Sequence, residues 1–273
     1  MTTRAETGPS SGVPEQPGPS ALLPSRGLLY AELVIVLAMS LGRSGVYSVV
    51  RIIEDATAPG GLAAQTTTMN TSVRPDRPYF DLTYQLLGVL FAVVPVALAG
   101  YLLVRSGTRL RDVWFRGAGW GDLPRGAVLA AAVGSVGLAF YLVMHGLGLS
   151  VTVAASGLDT SVWWHVPMLV LAALENAVLE EFVVLGYVLV RLRQLGFSDL
   201  KAIGIAAVLR GSYHLYQGLG GFFGNLAMGL LFGWLYRRWG RVTPLVVTHT
   251  LLDVGAFVGY ALLAGHVDWL PTA

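Results

Sequence analysis

Long apolar segments dominate the chain and are separated by shorter polar connections. Most are close to the roughly 20 residues that an α-helix needs to cross a hydrocarbon core of about 30 Å. In chain order the seven segments are residues 28–50, 82–104, 126–149, 166–192, 202–216, 222–236 and 244–263. Pro95 predicts a kink in the second of them. The pattern predicts an all-α, polytopic transmembrane helix bundle of about seven spans.

The connections predict the orientation of these helices. Basic residues cluster after the second, fourth and sixth segments, whereas residues 150–161 and 217–221 contain neither lysine nor arginine. The clusters are Arg105, Arg109, Arg111 and Arg116; Arg191, Arg193 and Lys201; and Arg237, Arg238 and Arg241. By the positive-inside rule, this alternation places the N-terminus in the cytoplasm. Residues 51–81 fit less well, because arginines and acids are mixed there on the predicted outer side.

The chain divides into a tail and a membrane part. Residues 1–26 are rich in Pro, Ser, Gly and Thr and show no apolar periodicity, which predicts a disordered cytoplasmic tail. Residues 27–150 hold the N-terminal transmembrane spans. The residues that carry candidate chemistry all follow, within residues 160–264.

Composition agrees with a membrane protein. Hydrophobic residues make up 54% of the chain and charged residues only 12%, and the mean hydropathy is +0.63, well above the values of soluble proteins. The chain contains no cysteine. Its absence excludes a disulfide framework, a thiolate metal site and a cysteine nucleophile, so any catalysis uses other side chains.

Five ionisable residues interrupt the later apolar segments: Glu180, Glu181, His214, His249 and Asp253. A charged side chain at bilayer depth costs about 2.5 to 3.5 kcal/mol on insertion scales. Five such side chains facing lipid would cost on the order of 10 kcal/mol or more, which rivals the stability of a whole domain. We therefore expect them to face inward and to form one polar site between helices.

Helical spacing groups these residues further. Residues four apart share one face of a helix, so His249 lies above Asp253, and Arg210 lies above His214. Adjacent Glu180 and Glu181 diverge by roughly 100°. One carboxylate can thus point at a reacting centre while the other orients a neighbouring group.

The motifs Glu180-Glu181 with Leu185, Arg210-Gly-Ser-Tyr-His214 and His249-Thr-Leu-Leu-Asp253 resemble those of the CPBP (Abi) intramembrane proteases. That family includes the type II CAAX prenyl endopeptidases. Order, spacing and placement in apolar segments all agree, and residues 160–264 would form the protease core. Two positions depart from the pattern: Leu185 stands where the family usually has arginine, and Arg210 where it usually has phenylalanine. We hypothesise that Arg210 returns the missing positive charge from the neighbouring helix.

The resemblance implies an intramembrane endopeptidase that hydrolyses peptide bonds within or beside the bilayer. Glu180 would activate a water molecule with the help of His214, and Glu181 would orient that arrangement. His249 and Asp253 would stabilise the oxyanion of the tetrahedral intermediate. An ionised Asp253 would instead orient His249 and set its tautomer.

Metal dependence has two alternatives. If zinc is bound, Glu180, His214 and His249 would hold it and leave a fourth position open. The chain lacks the H-E-x-x-H helix of many zinc proteases, which favours direct activation of water by carboxylate and histidine and no certain cofactor.

Two other functions use similar residues. A proton-coupled transporter also buries acids, histidines and arginine, although the two halves of the chain show no repeat. A non-catalytic membrane scaffold that retains the protease fold would tolerate the two departures. We expect the lipid bilayer and a peptide or membrane-protein substrate as partners, no nucleic acid, and a location in the bacterial cytoplasmic membrane. The pattern leaves the oligomeric state open.

Overall fold

The computed structural model describes residues 23–272 of the chain. The predicted tail, residues 1–26, lies almost entirely outside the described residues, and the first helix begins at Arg26.

The α-helices are, in chain order, α1 (Arg26–Ala38), α2 (Leu41–Thr57), α3 (Pro78–Ala92), α4 (Val94–Arg105), α5 (Leu110–Val113), α6 (Asp122–Gly146), α7 (His165–Glu180), α8 (Val190–Gln194), α9 (Asp199–Ser212), α10 (Leu219–Trp239) and α11 (Thr243–Leu263). A π-helical segment, Glu181–Leu189, joins α7 to α8. Two strands, β1 (Thr66–Thr68) and β2 (Thr152–Ala154), form a small parallel sheet, and short 3₁₀ turns cover Leu62–Ala64 and Leu215–Gln217.

The all-α prediction is confirmed. By length and composition, four helices of the described part are able to cross a membrane, and a fifth is added if the bent pair α1 and α2 is one span. The four are Pro78–Arg105, which comprises α3 and α4, Asp122–Gly146, Leu219–Trp239 and Thr243–Leu263. The count of seven and the cytoplasmic N-terminus stay predictions.

Two predicted spans differ from the helices observed. The first, residues 28–50, is divided into α1 and α2, which are bent by 60° relative to each other, and α2 continues to Thr57. The fifth, residues 202–216, contains α9, which has only 14 residues. At a rise of 1.5 Å per residue α9 is about 21 Å long, short of a hydrocarbon core of about 30 Å. Arg210 and Gly211, near the C-terminal end of α9, are buried among the other helices.

The second predicted span breaks close to the expected kink. Helix α3 ends at Ala92 and α4 begins at Val94, with Pro95 in the first turn of α4. Proline has no backbone N–H and its ring crowds the preceding turn, so the helix cannot continue unbroken through this position. The interruption lies at the position where the kink is predicted.

The helices pack so that the π-helical segment lies at the centre of the bundle. Helix α7 packs along α11, which also contacts α6; α9 packs against α10; and α4 contacts the π-helical segment. Every residue from Glu181 to Leu189 is buried. These residues join the larger apolar core, which also includes Leu103, Phe232 and Leu245.

Trp114 and Gly186 fix the π-helical segment. The Trp114 indole N–H donates a hydrogen bond of 3.0 Å to the carbonyl oxygen of Gly186. A Cβ atom at residue 186 would overlap with the indole ring, so glycine is needed for this approach. Wide π-helical turns are rare and occur frequently at functional sites. Here the π geometry begins at Glu181, directly at the pair of glutamates.

Arg191 changes the interpretation of the basic connections. The sequence pattern placed it in a loop, but it lies in α8 and is fully buried. Its guanidinium donates to Glu32 Oε2 at 2.7 Å, to Ser106 Oγ at 2.8 Å, to the Leu102 carbonyl at 2.9 Å and to Gln194 Oε1 at 2.7 Å. Arg191 is paired inside the bundle and joins α1, α4 and α8, so it adds nothing to the charge of the connection.

Candidate active site

All five predicted site residues lie in the same part of the bundle, and three helical segments and the turn after α9 supply them. Glu180 ends α7 and Glu181 begins the π-helical segment. His249 and Asp253 lie one turn apart in α11, which packs along α7. His214 follows the C-terminal end of the short helix α9. The expectation of an inward-facing polar group is consistent with their burial, since none of the five is exposed.

Arg210 is the centre of this group. It is fully buried in the last turn of α9. Its Nη2 lies 2.7 Å from Glu181 Oε1, 3.2 Å from Glu180 Oε2 and 3.1 Å from His249 Nδ1. One guanidinium nitrogen therefore contacts residues of three helical segments. Leu185, four residues after Glu181, is buried and apolar. The contacts of Arg210 support the hypothesis that Arg210 supplies the positive charge that is missing at position 185.

The ion pair between Glu181 and Arg210 is incompletely satisfied. Both side chains are inaccessible to solvent, and Glu181 Oε2 and Arg210 Nε and Nη1 have no hydrogen-bond partner among the described residues. A buried ion pair with unpaired polar atoms contributes little net stability, because desolvation offsets the Coulomb attraction. Its burial at the glutamate pair favours a functional role.

Tyr213 holds the carboxylate of Glu180. Its hydroxyl donates a buried hydrogen bond of 2.8 Å to Glu180 Oε2, the same oxygen that lies near Arg210. Glu180 Oε1 has no hydrogen bond to any described residue, and the Glu180 side chain keeps 12% of its surface exposed, compared with none for Glu181. The two glutamates thus differ: Glu181 is enclosed, while Glu180 presents one unoccupied oxygen.

His249 is oriented by Glu181 and Arg210. Its Nδ1 lies 2.8 Å from Glu181 Oε1 and 3.1 Å from Arg210 Nη2. If Nδ1 carries a proton it donates to Glu181, and if it does not it accepts from Arg210. In both tautomers Nδ1 is committed to the ion pair, and Nε2 is the nitrogen left for chemistry.

Asp253 lies farther from His249 than a hydrogen bond allows. Its Oδ1 is 3.6 Å from His249 Nε2, and its Oδ2 accepts a hydrogen bond of 3.3 Å from Asn176 Nδ2. In this arrangement the contacts of Nδ1 with Glu181 and Arg210 orient the His249 ring, rather than Asp253. Asp253 is instead tied to α7 through Asn176.

His214 lies beside Tyr213 at the edge of the group. Its Nδ1 donates a hydrogen bond of 3.0 Å to the carbonyl of Arg210, which can only accept. The proton is therefore on Nδ1 in the neutral ring, and Nε2 has a free lone pair. The ring centre is 4.8 Å from that of Tyr213, whose hydroxyl contacts Glu180. His214 makes no hydrogen bond to either glutamate among the described residues.

Among the described residues, one group of side chains could hold a metal ion, and we call it the metal-type cluster. It differs from the predicted zinc ligands. Glu180, Glu181 and His249 each offer a ligand atom, and these atoms lie within 4.8 Å of one another. His214 is not in this group, so Glu181 takes the place that the prediction gave to His214. Zinc binds such atoms at about 2.0 to 2.2 Å. Arg210 Nη2 already lies near all three side chains, so the residues do not fit a zinc ion while the guanidinium stays in place.

Two residues of the site were missed from the sequence. Tyr213 precedes His214, and its position within the Arg210-to-His214 motif is the only signal that pointed to it. Asn176 lies four residues before Glu180 on α7, and this i, i+4 spacing places both on one helix face. Neither side chain is ionised at neutral pH, so the cost of burying a charge gives no signal for them.

Comparison with known proteins covers the segment that holds this site. Residues 161–255 match the family model described as Type II CAAX prenyl endopeptidase Rce1-like. The resemblance inferred from the motifs is confirmed. The Rce1-like segment begins just before α7, ends two residues after Asp253, and includes Arg210 and Tyr213.

No curated protein and no solved structure matches the chain. The Rce1-like match supports a CAAX-type intramembrane protease in general terms. Together with the apolar helices, it indicates an integral membrane protein. The glutamate and histidine cluster is compatible with this class of enzyme.

Proposed function

We propose that the chain is an intramembrane endopeptidase in which Glu180 activates a water molecule for attack on a peptide carbonyl. The observation that carries this proposal is the asymmetry of the glutamate pair. Glu180 Oε2 is held by Tyr213 and lies near Arg210, while its Oε1 is free of hydrogen bonds to described residues. A general base needs one oxygen fixed and the other within reach of the water proton. Glu181, which is fully enclosed, suits an orienting role.

The hydrolytic step uses Glu180 and His214 together. Glu180 accepts a proton as the water oxygen bonds to the carbonyl carbon, and the lone pair on His214 Nε2 helps to hold the water. The proton on Glu180 then passes to the leaving amine as the C–N bond breaks, which regenerates the carboxylate. Hydrolysis thus needs no co-reactant besides water and leaves the enzyme unchanged.

His249 suits the stabilisation of the tetrahedral intermediate. When Nδ1 accepts from Arg210, the proton of the neutral ring is on Nε2, which can then donate to the developing oxyanion. Preorganised donors of this kind usually contribute most to acyl-transfer catalysis. Asp253, which is 3.6 Å from Nε2, would stabilise a ring that becomes positively charged.

The proposed substrate is a peptide or membrane protein whose cleaved bond enters the bundle from within or beside the bilayer. The proposed location is the bacterial cytoplasmic membrane. The apolar helices and the Rce1-like match support a substrate within or beside the bilayer and a location in a membrane.

The test is cleavage of a quenched peptide library by the purified protein in detergent. We expect Glu180→Gln and His214→Ala each to lower the cleavage rate by roughly 100-fold or more, the usual contribution of general acid–base catalysis. Glu54→Gln and His266→Ala are matched controls, because both side chains are exposed and lie outside the cluster. Their rates should stay within twofold of the wild type.

Two results would contradict the proposal. Undiminished cleavage by folded Glu180→Gln would show that another group activates the water. Proton-coupled flux in vesicles that requires Glu180, without cleavage of any peptide, would favour a transporter. The library must therefore be tested beside a flux assay on the same preparation.

A further inference from the structure

One nitrogen of Arg210 lies where the three acceptors of the metal-type cluster converge. Nη2 is 2.7 Å from Glu181 Oε1, 3.2 Å from Glu180 Oε2 and 3.1 Å from His249 Nδ1. These are the side chains whose ligand atoms lie within 4.8 Å of one another. Two carboxylates and an imidazole surrounding one position are the ligands that a divalent cation such as zinc prefers.

We propose that the Arg210 guanidinium occupies the position of a divalent metal ion and supplies its charge from within the chain. Removal of the side chain would then uncover a metal site formed by Glu180, Glu181 and His249. The inference concerns the cation of the site proposed above. It is tested by metal binding and not by cleavage, so either proposal can fail without the other.

Electrostatics supports this assignment. Without a cation, two carboxylates would lie close together, one fully enclosed and the other only 12% exposed, so water would compensate little of their charge. Arg210 has no acidic partner besides these two glutamates among the described residues. Glu181, in turn, makes its hydrogen bonds to Arg210 and His249. Charge balance at this position therefore depends on Arg210.

The packing around Arg210 also supports its assignment as the cation of the site. Arg210 is inaccessible to solvent, and its guanidinium lies 5.2 Å from the centre of the Phe232 ring, within range of a cation–π contact. Gly229, one turn before Phe232 on α10, faces the stem of Arg210 and the neighbouring α9 backbone. The guanidinium is thus held on one side by α10 and on the other by the acceptors. A metal ion and the guanidinium cannot share the position.

The inference predicts how the site responds to metal. The wild type should bind no divalent ion at this position, because the guanidinium already occupies it. Arg210→Ala removes the guanidinium and leaves the three acceptors, whose negative charge then favours a divalent ion. The double variant Arg210→Ala with Glu181→Gln keeps the space but removes one ligand.

The experiment is Zn²⁺ titration of the purified full-length protein by calorimetry, with Co²⁺ absorption spectra to report the ligands. We expect Arg210→Ala to bind one more Zn²⁺ per chain than the wild type, with a visible Co²⁺ band. The double variant should lose the added ion and the band. A folded Arg210→Ala that binds no more Zn²⁺ than the wild type would overturn the inference.

The wild type provides a second, independent comparison that does not need Arg210→Ala to fold. Zn²⁺ binding should be the same in the wild type and in His249→Ala, because the site already contains its cation. A Zn²⁺ ion that binds to the wild type and is lost in His249→Ala would show that metal and Arg210 coexist, and the inference would be wrong.

Discussion

Tyr213→Phe tests the geometry of the glutamate pair most directly. The substitution removes one hydroxyl and keeps the ring that contacts His214. Glu180 Oε2 then loses its 2.8 Å hydrogen bond and keeps only Arg210, at 3.2 Å. Glu180 would rotate more freely, and its free oxygen would be aimed less well at the water.

The size of the effect follows from the kind of bond that is lost. A buried hydrogen bond to a charged group contributes about 1.5 to 3 kcal/mol. If that energy orients Glu180 in the transition state, kcat should fall roughly 10- to 150-fold, since about 1.4 kcal/mol corresponds to a factor of ten. KM should change little, because the hydroxyl donates its hydrogen bond to Glu180 and the ring stays in place.

The assay is steady-state cleavage of the best peptide from the library, beside thermal unfolding followed by tryptophan fluorescence. Tyr216→Phe is the matched control. The Tyr216 hydroxyl lies 3.7 Å from the sulfur of Met69 and contacts no carboxylate, so its kcat should stay within twofold of the wild type. A kcat near the wild-type value in folded Tyr213→Phe would refute the reasoning, as would equal losses in both variants.

Two further predictions concern stability. Glu32→Gln should lower the free energy of unfolding by about 1.5 to 3 kcal/mol, because buried Arg191 loses a charged acceptor at 2.7 Å while keeping its other partners. Gly186→Ala should lower it by about 1 to 3 kcal/mol, because the added methyl group overlaps with the Trp114 indole. Both are measured by tryptophan fluorescence during denaturant unfolding in detergent.

Each stability prediction has a control at a comparable position. Glu54→Gln removes an exposed carboxylate whose ion pair with Arg51 is 3.7 Å long, and should change stability by less than about 0.5 kcal/mol. Gly204→Ala adds a methyl group in α9 where no atom of another described segment lies within 4 Å, and should not destabilise the protein. If the controls lower the free energy of unfolding as much as the test variants do, the losses cannot be attributed to the Arg191 and Trp114 contacts.

Much of the candidate site followed from the sequence. Glu180, Glu181, His214, His249 and Asp253 stand out because an ionisable side chain in an apolar segment is costly wherever it faces lipid. Helix periodicity also placed His249 and Asp253 on one face of the same helix. The first inference needs only the residue type and the apolar segment around it, and the second needs only the spacing of residues within one helix. Both can be read from a single sequence.

The tertiary structure decided which of these residues touch. The contacts of Arg210 with Glu181 and His249 join residues 29 and 39 positions apart, and only the packing of α9 against its neighbours produces them. The bond from Tyr213 to Glu180 likewise depends on α9 ending inside the bundle. Such contacts have no periodic signal, because the spacing of residues within a helix says nothing about the helix that lies opposite.

The sequence by itself determined an all-α membrane protein, its apolar segments and the identity of the polar residues within them. These properties depend on the length of each apolar segment and on the cost of a charged side chain within it, and both are local features of the sequence. Only the tertiary structure decided that Arg191 is a buried partner of Glu32 and that Arg210 lies between two glutamates and a histidine. The physical reason is that a buried arginine is tolerable only beside acceptors, and the acceptors come from other helices.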